Sequence, residues 1–222
     1  MTSTPAPAAA TPPPAPAMGT AGTGAAGAPA MDPIMDPADP VTDPMTAAGD
    51  EVPAGDHCAP VAMWDPAWTA FEDEVLKLTN EARAAGANCH SMGTFGPADP
   101  LTMNAMLRCS ARLHSQDMGE NVFFDHTNPA GDDPFERMAA AGYRGFTMGE
   151  NIAMGQQNPE EVVDGWLASD GHCRNIMDPS FTEIGVGYWE GASSNQFFNG
   201  NKLWTQNFGA PGGGGGVPPW GG

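Results

Sequence analysis

The sequence predicts an α+β domain, arranged as a three-layer α-β-α sandwich with a small antiparallel sheet. Several segments combine a capping residue, a proline in the first turn and apolar residues at three- and four-residue steps, a pattern typical of amphipathic helices. Two segments near the C-terminal end alternate enough to be half-buried strands, and a polar loop joins them. Helices combined with an antiparallel hairpin place the chain in the α+β class.

Two helices are predicted in the first half of the domain. The first begins at Asp65, which can cap it, has Pro66 in its first turn, and ends at Gly86. Its apolar face consists of Trp68, Phe71, Val75, Leu78 and Ala82. The second begins near Asn104, and its stripe of Leu107, Ala111, His114 and Met118 has His114 as the only polar member. We expect His114 to be a hydrogen-bonded core histidine rather than part of a site.

Two shorter helices follow. Asp133-Pro134 opens the third, which stops at Gly142. Asn158-Pro159 opens the fourth, which combines a capping side chain, a proline at the first helical position and Glu161 at the third.

Two strands complete the predicted domain, over residues 183–189 and 202–208. The polar loop between them contains Asn199-Gly200, which predicts an antiparallel hairpin. The glycines of the first strand leave room for another part of the chain to approach its backbone.

Composition divides the chain into three parts. Residues 1–57 consist almost entirely of Pro, Ala, Gly, Thr, Met and Asp, without aromatic residues, Lys or Arg, and we predict a disordered tether there. Residues 211–222 are mostly Gly and Pro and predict a disordered tail. The part between them, residues 58–210, is long enough to form one domain with its own core.

The charge excludes several classes of partner. A formal net charge of −19 disfavours binding to nucleic acid or to an anionic membrane surface.

No apolar run approaches the roughly 18 residues that a membrane span needs. No export signal is recognisable, because the first positive charge is Lys77 and no apolar run follows Met1. We expect either a signal removed upstream of Met1 or a protein that stays inside the cell.

The four cysteines, Cys58, Cys89, Cys109 and Cys173, are widely spaced. They form no C-x-x-C pair, which argues against a zinc ribbon or a thioredoxin-type site. Their even number and the tether-like leader favour two disulfides in an oxidising compartment, with four buried thiols as the alternative. Of the three possible pairings we favour Cys89–Cys173 with Cys58–Cys109.

Three polar residues have positions that suggest a shared cleft. Glu150 stands at the head of a short apolar run, His172 lies in a tight glycine turn just after a helix, and a loop presents His126. Each has a plain structural alternative, since a turn carboxylate or a turn histidine is often bonded only to backbone.

Five short strings occur together in the sequence. They are Leu113-His114-Ser115-Gln116-Asp117-Met118, Phe124-Asp125-His126, Gly149-Glu150-Asn151, Gly171-His172 and Trp204-Thr205-Gln206. In this order they resemble the bacterial branch of the CAP superfamily (cysteine-rich secretory proteins, antigen 5 and pathogenesis-related proteins), also described as the SCP-like extracellular domain. The resemblance covers residues 64–209 and implies an α-β-α sandwich, secretion, and a cleft carrying two histidines and two acidic residues.

The residues that this resemblance carries over to the cleft are His126, Glu150 and His172. The second acidic residue does not carry over, because Ser169 stands where animal and plant relatives have a glutamate. Asp170 and Glu183 are the candidates to replace it. If the cleft is catalytic, its candidate residues are His126, Glu150, His172, Glu183 and Asp170.

Imidazoles on two separate loops can hold a divalent metal such as Zn²⁺, and a carboxylate can either join them as a ligand or orient one ring. We therefore predict His126 and His172 as metal ligands, with Glu150 as ligand or orienter. Two histidines leave coordination positions open, so we expect the cation to be weakly held.

Three functions follow as hypotheses. The first is an extracellular or surface-tethered monomeric binding module whose cleft holds a metal and a small molecule, lipid, glycan or peptide without clear turnover. The second is a metal-dependent hydrolase, either a peptidase or a cell-wall hydrolase, using the same residues around an activated water. The sequence has no HExxH or GxSxG motif, and we read Ser169 as a turn residue rather than the nucleophile of a triad. The third is a structural surface protein.

Overall fold

The computed structural model describes residues 52–191 and 201–211. The chain divides into two units, Met1–Thr42 and Asp43–Gly222, and all the described residues belong to the second. The predicted tether and tail therefore lie almost entirely outside the described residues, as does the loop with Asn199-Gly200. Within the described ranges no helix is both long and apolar enough to cross a bilayer.

Five helices and six strands make up the described part of the chain. The helices are α1 (Pro66–Ala85), α2 (Ala105–Glu120), α3 (Pro134–Ala140), α4 (Pro159–Leu167) and α5 (Asp170–Met177). The strands are β1 (Ala87–Asn88), β2 (Thr94–Phe95), β3 (Thr102–Met103), β4 (Gly145–Met154), β5 (Glu183–Glu190) and β6 (Lys202–Pro211). Single 3₁₀ turns occupy Ala59–Val61 and His90–Met92.

The predicted helix starts are confirmed. Asp65 accepts a hydrogen bond from the Ala67 amide, and Asn104 caps α2 by accepting from two amides of its first turn. The capping box of α3 is complete, since Asp133 and Glu136 each bond the other's backbone amide.

The main sheet has the strand order β3-β5-β6-β4. The predicted antiparallel pairing of β5 with β6 is confirmed, and β4 adds a second antiparallel partner on the other side of β6. The short β3 pairs with β5 in parallel, and β1 and β2 form a separate antiparallel pair.

The sheet separates two layers of helices, as the α-β-α prediction requires. On one face α2 packs against β5 and β6. The two elements approach so closely that a Cβ on Gly185 or Gly187 would lie within about 2.2 Å of the α2 backbone. The side chains that alternate with these glycines (Ile184, Val186 and Tyr188) point to the other face, into the core shared with α1, α4 and α5.

Two segments differ from the sequence prediction. His172 does not lie in a turn: it belongs to α5, because Cys173, Ile176 and Met177 are buried at helical spacing. The segment around Glu150 is a full strand, β4, held by its ladder to β6.

Two disulfides join distant parts of the chain, with the pairing that we favoured. Cys58–Cys109 fastens the first 3₁₀ turn to α2 across 51 residues. Cys89–Cys173 ties the segment after β1 to α5 across 84 residues. No cysteine is free.

Candidate functional site

The candidate site lies along β4, which is an edge strand of the sheet. Side chains of a strand alternate between its two faces. Glu150 therefore points towards the layer formed by α2 and α3, while the next residue, Asn151, points towards α5. The edge position brings groups from both helical layers to one strand.

Glu150 is the centre of the site and is almost fully buried. Its Oε1 accepts a hydrogen bond from His126 Nδ1 at 2.8 Å. Its Oε2 accepts from Arg137 Nη2 at 2.7 Å, and Asn207 donates to the same oxygen at 3.0 Å when its amide is oriented to satisfy both of its ends. Both carboxylate oxygens are thus committed to partners within the protein.

His126 lies on the loop between α2 and α3, with 47% of its side chain exposed. Because Nδ1 donates to Glu150, this bond fixes the ring and leaves Nε2 as the nitrogen available to a ligand. The same bond raises the pKa of His126 above its ordinary value. Arg137 holds the loop itself, since its Nη1 donates to the carbonyls of His126 (2.6 Å) and Asp132 (2.9 Å).

His172 is half-buried in the first turn of α5. Burial lowers the pKa of His172, and the positive charge of His126 lowers it further. The backbone of this turn is fixed by Asn151, whose Nδ2 donates to the His172 carbonyl at 3.2 Å. Asn175 completes the link by donating to Asn151 Oδ1 (2.9 Å) and to the Glu150 carbonyl (3.3 Å).

The two candidates for the fourth position are bonded to other groups. Asp170 accepts a hydrogen bond from the Ser91 hydroxyl. Glu183 accepts from Asn104 Nδ2 at 3.0 Å and from the Tyr143 hydroxyl at 2.7 Å. The structure therefore bonds His126 to Glu150, ties the backbone at His172 to the same strand through Asn151 and Asn175, and bonds Asp170 and Glu183 to other groups. Ser169 occupies the position that precedes α5.

His114 lies in the core next to the site. It is fully buried, and its Nε2 donates to the Asp125 carbonyl at 3.1 Å, next to His126 in sequence. Nε2 also lies 3.9 Å from Glu150 Oε1. Burial lowers the pKa of His114 to about 4, so the ring is neutral near pH 7. This is the core histidine expected from the apolar stripe of α2.

Sequence reasoning missed two residues of the site, Arg137 and Asn207. Arg137 is buried on a seven-residue helix, between the exposed Glu136 and the buried Met138. Asn207 gave no signal, since it is one polar residue in a strand of mixed character.

The donor set limits what the site can hold. Among residues 52–191 and 201–211, no group of three or more His, Cys, Asp or Glu side chains is arranged to hold a metal ion. Three side chains already bond the Glu150 carboxylate, which favours a role in orienting His126 over a role as a ligand. The residues present fit a divalent cation only through the two imidazoles, with Glu150 as the group that orients His126.

Known proteins resemble this chain over most of its described part. The model of the cysteine-rich secretory protein family, CAP, matches residues 76–208. YkwD, an uncharacterized protein of Bacillus subtilis (strain 168), is 41% identical over 140 residues, covering 63% of this chain and 47% of that protein. The uncharacterized membrane protein YlbC of the same strain is 28% identical over 158 residues, covering 69% and 40%. The chain thus spans less than half the length of either relative.

A solved structure has a similar fold. The crystal structure of an extracellular protein containing an SCP domain from Bacillus anthracis str. Ames superimposes with a TM-score of 0.52 at 27% sequence identity. The match covers 63% of this chain and 40% of that one.

Proposed function

Because the chain belongs to the cysteine-rich secretory protein (CAP) family, we propose that it is an extracellular or surface-tethered binding module. Its cleft, formed by His126, Glu150 and His172, holds a divalent cation such as Zn²⁺ weakly. The same cleft takes an extracellular ligand, a small molecule, lipid, glycan or peptide, without clear turnover.

One observation carries this proposal: Glu150 is buried and orients His126 through the 2.8 Å bond to Nδ1, which leaves the other ring nitrogen for a ligand. A carboxylate used in this way is typical of histidines that present their other nitrogen to a ligand. His126 Nε2 and the His172 ring would hold the cation, and the protein would supply no further side chain. When bound, such a cation supplies a Lewis acid that attracts anionic or carbonyl groups of a ligand.

Two further observations support an extracellular location. Both cysteine pairs are oxidised to disulfides, which persist mainly in secreted and surface proteins. The relative from Bacillus anthracis is described as extracellular.

The alternative is a hydrolase, and the His126–Glu150 pair favours it. A histidine held by a buried carboxylate is the arrangement of a general base. A peptidase or cell-wall hydrolase would use His126 in this role, with His172 beside it.

A zinc titration of three proteins tests the proposal. The wild type should bind the metal, and His126→Ala/His172→Ala should bind at least tenfold more weakly because both imidazole ligands are gone. The chain offers a matched control in His57→Ala/His90→Asn, which removes two exposed histidines outside the cleft and should titrate as the wild type does. Equal affinity in all three proteins would rule the site out.

Cleavage assays on the same proteins separate the two functions. Incubation with peptides and with peptidoglycan should give no products from any of them if the domain only binds. Products formed by the wild type and lost in His126→Ala/His172→Ala would establish the hydrolase instead.

A further inference from the structure

A groove of about 400 Å³ lies between α2 and α3, apart from the cleft of His126, Glu150 and His172. Its apolar lining includes Pro60, Leu113 and Ala140. The 3₁₀ turn that supplies Pro60 is held against α2 by the Cys58–Cys109 disulfide, so this side of the groove is covalently fixed. The volume falls within the range of sites that bind small ligands.

Most of the charged residues in the lining are acidic, and we call this site the acidic groove. Four of its lining residues carry carboxylates: Asp117, Glu120, Asp132 and Glu136. In the part of the chain that the structure describes, each accepts hydrogen bonds from neutral amides and none forms an ion pair. The one basic side chain in the lining, Arg137, is ion-paired with Glu150 instead.

Arg137 lines the same groove and is more than nine-tenths buried. Its two terminal nitrogens bond Glu150 and two carbonyls, but its buried Nε–H has no hydrogen-bond partner among the described residues. A buried donor without an acceptor is costly. An acceptor oxygen brought by a ligand would remove this cost.

The remaining charges of the chain point to an occupant from outside. Residues 1–51 contain neither Lys nor Arg, so the chain's own leader cannot neutralise the groove. A second copy would bring a further net charge of −19 and be repelled. Four of the eight basic residues (Arg83, Arg108, Arg112 and Arg137) are buried, which leaves the outer surface still more acidic.

We propose that the acidic groove binds a short basic peptide segment. The charged head of a lysine or arginine lies among the four carboxylates, and its aliphatic stem covers Leu113 and Ala140. A peptide carbonyl supplies the acceptor for Arg137 Nε–H. The negative surface steers such a peptide to the groove. This activity does not depend on metal or ligand binding at His126 and His172.

Fluorescence anisotropy with a labelled, capped six-residue peptide tests the proposal. The probe carries two lysines among alanine and leucine, and its twin carries glutamines instead. The lysine peptide should bind the wild type, and the glutamine twin should bind at least tenfold more weakly. No binding of the lysine peptide at millimolar protein would overturn the proposal.

Two double variants separate the groove from the overall charge. Asp117→Asn/Glu120→Gln removes two groove carboxylates and should weaken binding at least tenfold. Glu160→Gln/Asp164→Asn removes the same charge from exposed positions on α4 and should change binding less than twofold. Equal weakening by both pairs, or displacement of the peptide by an equimolar amount of spermidine, would mean that only bulk negative charge is sensed, which contradicts the proposal.

A third variant blocks the groove without removing a carboxylate. Ala140→Lys places a cation at an exposed position on its wall and should abolish peptide binding while the circular dichroism spectrum stays unchanged. His126→Ala/His172→Ala should bind the peptide as the wild type does, so failure at one site does not decide the other. Undiminished binding to Ala140→Lys would refute the groove as the binding site.

Discussion

Glu150 shows how one carboxylate can organise a site from three sides. It bonds a loop histidine, a helix arginine and a strand asparagine, so that loop, helix and sheet meet at a single buried side chain. Leaving Arg137 without this partner would bury an unpaired charge, which generally costs several kcal/mol. The position of His126 therefore depends on the same bonds that stabilise the fold around it.

The buried His114 should make stability depend on pH. Its folded pKa is about 4, below the ordinary value, so the unfolded chain binds a proton there first as the pH falls. The stability from neutral His114 is complete above roughly pH 6.5 and is lost towards pH 4, with about 1 kcal/mol gone by pH 5.5.

Urea unfolding at pH 7.5 and 5.5 checks this, with His114→Gln as the comparison. Glutamine can keep the bond to the Asp125 carbonyl but does not titrate. The variant should lose less stability than the wild type between the two pH values. The raised pKa of His126 acts in the opposite sense, and because both proteins contain His126, its effect cancels in the comparison. Identical losses would contradict the role of His114.

The short strings that resemble the CAP family suggested His126, Glu150 and His172 as cleft residues, although the turn predicted at His172 is a helix. The sequence could not indicate Arg137 or Asn207. Whether an arginine points inward depends on a partner brought from another element, and here that partner is Glu150 on β4. The identity of the fourth cleft residue likewise depends on side-chain partners, and in the structure Glu183 accepts a hydrogen bond from the Tyr143 hydroxyl.

The packing of α2 on β5 depends on two positions without side chains. A methyl group at Gly185 would meet the Leu107 backbone at 2.0 Å, and one at Gly187 would meet the Ala111 backbone at 2.2 Å. Main chain cannot move aside as a flexible side chain can. We expect Gly185→Ala or Gly187→Ala to cost about 3 kcal/mol by forcing the helix off the sheet.

Gly171→Ala is the matched control for this prediction. A Cβ there meets nothing within 4 Å, and the position lies in α5, where alanine is the better helix former. It should be neutral or stabilise by up to roughly 1 kcal/mol. Denaturant midpoints of the three variants provide the measurement; equal midpoints would mean that the close approach does not limit stability.

Helices with capping residues at both ends could be predicted from the sequence. Elements that form only through contacts with other segments could not. Asp65-Pro66 and Gly86 bound α1 as the sequence indicates. By contrast, only two residues separate α4 from α5, and α5 contains a glycine, so that its segment is also typical of a turn. Strand β4 contains glycines and polar residues, and only its ladder to β6 makes it a strand.

The two disulfides should stabilise the domain more than any cleft side chain does. Each closes a loop of many residues, 51 for Cys58–Cys109 and 84 for Cys89–Cys173. Restricting the unfolded chain in this way typically contributes about 2–4 kcal/mol for each bond. Thermal unfolding with and without reductant should show a clear loss of Tm, and His126→Ala should lower Tm far less. An unchanged Tm after complete reduction would refute this.

The sheet order β3-β5-β6-β4 also determines when the domain can be completed. Within residues 52–191 and 201–211, β6 is the last strand in sequence, yet it lies between β4 and β5 and is the only strand that pairs with β4. During synthesis β4 and β5 are translated before β6. Neither can form its ladder to β6 until residues 202–211 have emerged from the ribosome. A nascent chain stalled before that point would expose two unpaired strand edges to chaperones, and the sheet could be completed only after residues 202–211 have emerged.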